Sequence, residues 1–227
     1  AQTEAATGKE MSRFWVHNGF VQIDSEKMSK SLGNFKTIRD ILENRLPESL
    51  RFFLLGKHYR SPIDFSFQSM DEAERGLKRI YETLAEVNAK LKAGNWKAGE
   101  LAQADVQEFD DLLAQFYTAM DDDCNSAAAL GHIFSLIRLI NRLLEDKASK
   151  NKQGLHSLLE RFQAQAGNWS AILGVFGLDP EQFLLDLRQT KATRRGLDPG
   201  RVEELLAARQ DARQAKDFAK ADKVRAD

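Results

Sequence analysis

The sequence has little proline, a single cysteine and no excess of either charge. Only 4 of its 227 residues are proline, and the one cysteine, Cys124, cannot form a disulfide within the chain. Lys and Arg number 33 against 34 Asp and Glu, so the net charge of −1 gives no reason to expect a nucleic-acid-binding protein. With 42% hydrophobic and 30% charged residues, we expect one large or two small folded domains, without a membrane span or a disordered tail.

The features of a secreted protein are also missing. The chain starts with the polar run Ala1–Glu4, and its single cysteine fits a reducing compartment. We therefore expect a cytoplasmic location. Because there is no starting Met and a helical pattern continues to the last residues, we also expect the sequence to be part of a longer protein.

Apolar residues recur three and four positions apart over long stretches, which is typical of helices that pack one face on a core. The most apolar of these helices is expected to be the most buried. Four of them, joined by polar links, predict a mainly α fold built on a helical bundle. The predicted helices cover 70–91, 106–120, 127–144 and 155–173.

The first residues follow a different pattern. Phe14–Val16 and Gly19–Ile23 are short β-favouring runs, and Asn18-Gly19 between them predicts a hairpin. This end is expected to be the edge of an α/β domain.

The segment 191–200 is basic, contains two glycines and Pro199, and has few apolar residues. It predicts a mobile linker. A last amphipathic helix is expected to start at Asp198 or Pro199.

Two lysines, Lys27 and Lys30, follow the predicted strand among small hydroxyl residues. Ammonium groups in such a loop can contact a polyphosphate as point charges, while serine hydroxyls and backbone N–H groups donate hydrogen bonds. A solvated turn has the same composition, so spacing alone leaves both interpretations open.

The residues Lys27, Met28, Ser29, Lys30 and Ser31 are identical to the KMSKS signature of class I aminoacyl-tRNA synthetases. The surrounding run HNGFVQIDSEKMSKSLGNFKTIRDIL resembles the cysteinyl-tRNA synthetase version. Further stretches resemble that family in its own order: Leu50–Leu55 with His58–Ser61, Met120–Asp123 with Asn125, Ala129 and Leu130, and Asp217–Ala219 with Ala221, Asp222 and Arg225.

The resemblance implies a cysteine–tRNA ligase, which activates cysteine with ATP and Mg and transfers it to tRNA(Cys). It implies that Lys30 contacts the ATP phosphates, that Lys27 assists, and that Met28, Ser29 and Ser31 complete the ATP-binding loop. No HIGH-type motif occurs in the chain. We expect this motif and the zinc ligands of the family upstream, and we expect the chain alone to be inactive.

No metal site is expected within the chain. Cys124 and four isolated histidines show no ligand spacing and are interpreted as structural; the histidines are His17, His58, His132 and His156. Trp15, Trp96 and Trp169 are expected to pack in the core or in grooves. Asp121–Asp123 are expected to serve helix ends and solvent.

Charge is distributed unevenly along the chain, with basic ends and an acidic middle. Residues 1–60 and 188–227 carry net charges of +3 and +4, and residues 61–187 carry −8. Random scatter could produce these values, but the basic ends are those that the resemblance brings near phosphates. Solvated helix surface and tRNA contact remain equal alternatives for the arginines of the last segment: Arg194, Arg195, Arg209, Arg213 and Arg225.

One turn departs from the family pattern. Cys124 stands where phenylalanine is usual, and Ser126-Ala127 replace a Thr-Pro pair. Asn125 or Ser126 is expected to cap the next helix instead.

Four regions are predicted: the end of a catalytic α/β domain at 1–23, the KMSKS loop and stem-contact region at 24–67, a tRNA-binding type of helical bundle at 68–190, and a linker with a truncated anticodon-side helical segment at 191–227. Two other functions remain open. One is a non-catalytic tRNA-binding synthetase fragment or paralogue. The other is a ligase that joins cysteine to a thiol-precursor sugar, against which the run Asp217–Asp222 argues.

Overall fold

The computed structural model describes residues 2–23, 26–27, 36–149, 151–215 and 217–226. It is mainly helical, which confirms the predicted fold class. Three short strands form a small sheet near the N-terminal end: β1 (Val21–Ile23), β2 (Glu26–Lys27) and β3 (Ile63–Phe65). The helices are α1 (Gln2–Thr7), α2 (Ile38–Leu42), α3 (Pro47–Leu55), α4 (Phe67–Ala93), α5 (Gln103–Asp121), α6 (Ser126–Glu145), α7 (Gln153–Leu173), α8 (Pro180–Arg194), α9 (Pro199–Gln214) and α10 (Phe218–Ala226).

The four predicted bundle helices are α4 to α7, each extending one to three residues beyond the predicted bounds at one end or both. Local chemistry fixes their ends. Ser66 forms a capping box with Ser69 at the start of α4, and Gly174 ends α7 in the left-handed region, with φ of +67°. Asn125 accepts a hydrogen bond from the Ala128 N–H at the start of α6, which confirms the predicted cap.

Large apolar side chains from all four helices fill one core. Helix α6 buries residues on more than one side, as predicted. Removing this apolar surface from water is the main force that holds the bundle together. Its largest fully buried members include Trp169, Tyr81, Phe109, Phe116 and Phe162.

Helix α6 is the most apolar of the four bundle helices. Among the residues described, this one helix is long and apolar enough to cross a membrane by length and composition alone. Its apolar side chains Ile133, Leu136, Ile137 and Ile140 are buried against the other helices, as in a core helix. The hydropathy of α6 is explained by this burial.

The predicted hairpin at Asn18-Gly19 is wrong. Strand β1 lies between β2 and β3, antiparallel to β2 and parallel to β3, and Phe14–Val16 is an exposed segment outside the sheet. Gly19 is needed for a close approach: its N–H donates to the Tyr59 carbonyl at 2.7 Å, and a Cβ there would lie 2.2 Å from the Ser61 carbonyl oxygen. The Asn-Gly pair therefore marks a contact distant in sequence.

The predicted linker over 191–200 is also wrong in its first part. Helix α8 continues to Arg194, and Ala192 is buried. The helix begins with Asp179 as N-cap and Pro180 in the first turn, a start signal that the sequence analysis overlooked. Helix α9 begins as predicted, with Asp198 as its N-cap.

Candidate functional site

The KMSKS run starts at the edge of the sheet. The backbone of Lys27 belongs to β2, opposite Gln22 of β1. Met28, Ser29, Lys30 and Ser31 lie outside the described residues. Their assignment to ATP remains a prediction.

Both flanks of this run rest on one small apolar core. Ile23 of β1 precedes it and Ile41 of α2 follows it, and both pack against the buried residues Phe53, Phe65 and Met70. Thr37 and Asp40 form a capping box that fixes the start of α2. The segments before and after 28–35 are therefore held by the same core.

The 58–60 segment is connected to the bundle through Asp123. The Tyr59 hydroxyl donates to Asp123 Oδ1 at 2.7 Å, and Arg60 Nε lies 2.8 Å from Oδ2. The His58 ring stacks on Tyr59, with centroids 5.0 Å apart. The hydrogen bond from Tyr59 and the charge of Arg60 lower the pKa of Asp123 below its ordinary value. Asp123 thus holds the 58–60 segment to the turn before α6. Its side chain is also partly exposed to solvent, as expected.

Five charged side chains form a cluster between α4 and α8. Glu74 is fully buried, and its carboxylate lies 3.0 Å from Arg45, 3.1 Å from Arg194 and 3.7 Å from Lys191. Asp71 binds Arg45 at 2.6 Å and Arg194 at 3.3 Å. Burial opposes ionisation of Asp71, but the hydrogen bond and charge of Arg45, aided by Arg194 and Lys191, outweigh it and lower the pKa of Asp71.

The sequence analysis missed this cluster, although a signal was present. Glu74 comes four residues after Met70 and three before Leu77, both buried, so it falls on the apolar face of α4. An acidic residue on such a face needs buried cationic partners. Arg194, predicted as a tRNA contact, is one of these partners.

The other predicted tRNA contacts lie along α8 and α9. Arg195 lines a groove of about 440 Å³ together with Lys78, Arg188 and Lys191. Arg209 and Arg213 line an adjoining groove of about 550 Å³, which Arg188 also borders. The side chain of Arg225 lies outside the described residues.

Within the described part of the chain, no group of three or more His, Cys, Asp and Glu side chains could hold a metal ion. Cys124 is exposed. Trp169 is fully buried, as expected, and Trp96 packs edge-on to His156, with ring centroids 4.9 Å apart. Trp15 is 67% exposed, contrary to the expected packing, because its segment lies outside the sheet and the bundle.

Comparison with known proteins finds a separate family match for the N-terminal part of the chain and for part of the helical bundle. Residues 1–75 match the family described as tRNA synthetases class I (C) catalytic domain, and residues 115–177 match the DALR domain. A solved structure with the same fold is a LeuRS in ternary complex with tRNA and LeuAMS from Agrobacterium radiobacter K84, with a TM-score of 0.51 and 19% identity. It matches 72% of this chain and 23% of its own. The matched part of the chain has the fold of the corresponding part of that structure, and residues 1–75 belong to the region that matches a class I synthetase domain.

The sequence relatives are more specific. The chain is 56% identical to the cysteine–tRNA ligase of Nitratidesulfovibrio vulgaris (strain Miyazaki F) and 55% identical to that of Oleidesulfovibrio alaskensis, over 99% of its length in both comparisons. It is 54% identical to the enzyme of Desulfovibrio desulfuricans over the same share. The chain is a homologue of the cysteine–tRNA ligases, and it spans about half of the length of these relatives, 46 to 47%.

Proposed function

We propose that the chain is the KMSKS-loop and helical portion of a cysteine–tRNA ligase that uses ATP with Mg to activate cysteine and transfers it to tRNA(Cys) in the cytoplasm. The observation that carries the proposal is the KMSKS run, which begins at Lys27 in β2, inside the region that matches the class I catalytic domain. Homology over 99% of the chain supports the choice of cysteine as the amino acid.

In this proposal Lys30 contacts the pyrophosphate part of ATP. Negative charge builds on the departing pyrophosphate during adenylate formation, and an ammonium group stabilises that charge more in the transition state than in bound ATP. Lys27 assists from β2, and Met28, Ser29 and Ser31 shape the loop.

The helical part receives tRNA in this proposal. The DALR match at residues 115–177 and the tRNA in the complex of the LeuRS neighbour support this role. Arg195, Arg209, Arg213 and Arg225 are the proposed phosphate contacts. Arg194 contributes indirectly, because its guanidinium already binds Glu74 and Asp71.

The test uses the full-length protein that contains this chain. We expect Lys30→Ala to slow single-turnover adenylate formation roughly a hundredfold while the Kd for ATP changes much less. Lys36→Ala, six positions further on and exposed, is the matched control. An unchanged single-turnover rate in Lys30→Ala would contradict the proposal.

A second candidate is a tRNA-binding protein that does not activate cysteine. It rests on the helical part alone, whose match to the DALR domain at residues 115–177 lies outside the region that matches the class I catalytic domain. Cysteine-dependent pyrophosphate exchange separates the two: we expect exchange from the full-length protein and none from this chain alone. A full-length protein that binds tRNA without exchange would support the second candidate.

A further inference from the structure

Basic side chains line the second half of α8, from Arg188 onward, and continue onto α9, with Lys78 of α4 facing them across one groove. Lys78, Lys191 and Arg195 line one groove, Arg209 and Arg213 line the next, and Arg188 lines both. The two grooves adjoin at Arg188, which lines both. We call this pair of grooves the basic trench, and its cations are Lys78, Arg188, Lys191, Arg195, Arg209 and Arg213.

The lining of the trench holds six cations and one carboxylate, Glu82, which pairs with Lys78 on α4. Two carboxylates outside the lining also lie close to trench cations, Glu74 at 3.7 Å from Lys191 and Glu203 at 3.1 Å from Arg188, so six cations stand against three carboxylates. The side chains of Arg195 and Arg213 have no ionic partner among the described residues, and Arg209 has a buried Nε without a hydrogen-bond acceptor. A field of one sign in a groove attracts a polyanion.

The floor of the trench is apolar. Leu184, Leu187 and Leu197 lie between the cations of the first groove, and Leu206 lies in the second. A simple anion would fill one groove and would make no favourable contact with these apolar side chains. A nucleic-acid strand offers both chemistries, because charged phosphates alternate with riboses and bases that have apolar faces.

Arg188 occupies the junction of the grooves and is paired in the free protein. Its Nη1 lies 3.1 and 3.2 Å from the two carboxylate oxygens of Glu203 on α9. Both side chains are partly exposed, at 47% and 38%, so the pair is weak and can exchange partners. A phosphate at the junction would compete with Glu203 for this guanidinium.

We propose that the basic trench binds the phosphate backbone of RNA, with Lys78, Arg188 and Lys191 added to the arginines already assigned to tRNA, and that Glu203 lowers the affinity by holding Arg188. The identity of the RNA as tRNA(Cys) rests on the proposed function. The trench itself rests on the positions of the charges on α4, α8 and α9.

The test measures binding of a labelled tRNA(Cys) transcript to the chain by fluorescence anisotropy, between about 50 and 200 mM salt. We expect Arg188→Gln and Arg213→Gln each to weaken binding roughly three- to tenfold and to reduce the slope of log K against log salt by about one. Arg201→Gln on α9 and Arg138→Gln on α6 remove an exposed arginine outside the trench and should leave the slope unchanged. Thermal unfolding checks that all variants fold.

The pair of Glu203 and Glu204 separates the local effect from total charge. Glu204 is on the same helix but pairs with Arg201, outside the trench. Glu203→Gln should strengthen RNA binding roughly two- to fivefold, because it releases Arg188. Glu204→Gln makes the same change in total charge and should strengthen RNA binding less.

Three results would overturn the trench. They are no RNA binding at the lowest salt, RNA binding that the trench variants and the controls weaken equally, and displacement of RNA by polyglutamate at equal charge concentration. A failure of the proposed function would show itself in a different experiment. If the full-length protein lacks cysteine-dependent exchange while the trench variants still lose RNA, the trench stands and the ligase assignment falls.

Discussion

Arg194 at the end of α8 donates hydrogen bonds to both carboxylate oxygens of Glu74 on α4, at 3.2 and 3.1 Å, although the two residues are 120 positions apart. Arg45, which follows α2, lies 3.0 Å from the same carboxylate. Glu74 therefore joins the segment after the KMSKS run to the helix that leads toward the C-terminal end. This connection carries two predictions.

Glu74→Gln should destabilise the protein by about 3 kcal/mol, because it leaves Arg45, only 4% exposed, and Arg194 without their shared buried anion. The free energy of unfolding in urea measures this loss. Glu86→Gln, an exposed position on the same helix, should change it by less than about 0.5 kcal/mol. Equal stability of the two variants would show that the cluster contributes little.

Asp71 should make stability depend on acid pH. Its pKa is lowered in the folded protein, so the stability that it contributes is present above its unfolded pKa of about 3.9 and is lost as pH falls through the lower folded value. We expect wild type to be more stable than Asp71→Asn at pH 7 and the difference to shrink below about pH 4. Urea unfolding at several pH values measures the difference, and a constant difference down to pH near 3 would contradict the assignment.

Tyr81→Phe should cost about 1 to 2 kcal/mol. The buried Tyr81 hydroxyl donates to Glu48 at 2.7 Å and accepts from the Leu178 N–H at 3.4 Å, so the variant removes a partner from both groups. Tyr59→Phe, whose hydroxyl binds a partly exposed carboxylate, should cost less. Urea unfolding of both variants is the measurement, and the reverse order would be inconsistent with the burial of Tyr81.

Gly19→Ala and Gly131→Ala should have opposite effects on stability. A Cβ at Gly19 would lie 2.2 Å from the Ser61 carbonyl oxygen, so the backbone before β1 must shift and stability must fall. Gly131 is inside α6 with no neighbouring atom within 4 Å of a Cβ, so alanine there should add about 0.5 to 1 kcal/mol. Melting temperatures give the signs, and a Gly19→Ala variant as stable as wild type would exclude the close approach.

Several elements could be predicted from sequence because their causes are local. The apolar stripes specified α4 to α7 within a few residues, since a helix repeats its face every three to four positions. Asn125 and Asp198 gave cap positions because a cap bonds backbone groups two or three residues away. The KMSKS run could be recognised because it is a contiguous pattern.

The remainder depended on contacts between distant residues. Tyr59 and Asp123 are 64 positions apart, and the cations of the trench come from α4, α8 and α9. Phe14–Val16 has strand-like composition but no neighbouring strand in the described part of the chain, so composition predicted a structure that pairing did not supply.

The sequence by itself determined the helical periods, the caps and the KMSKS letters, since each depends on residues within one or two turns of chain. Only the tertiary structure decided that Arg194 neutralises Glu74 while Arg195 and Arg213 stay open to a ligand. The physical reason is that the role of a charge depends on the opposite charges and the solvent around it, and these are brought there by parts of the chain far away in sequence.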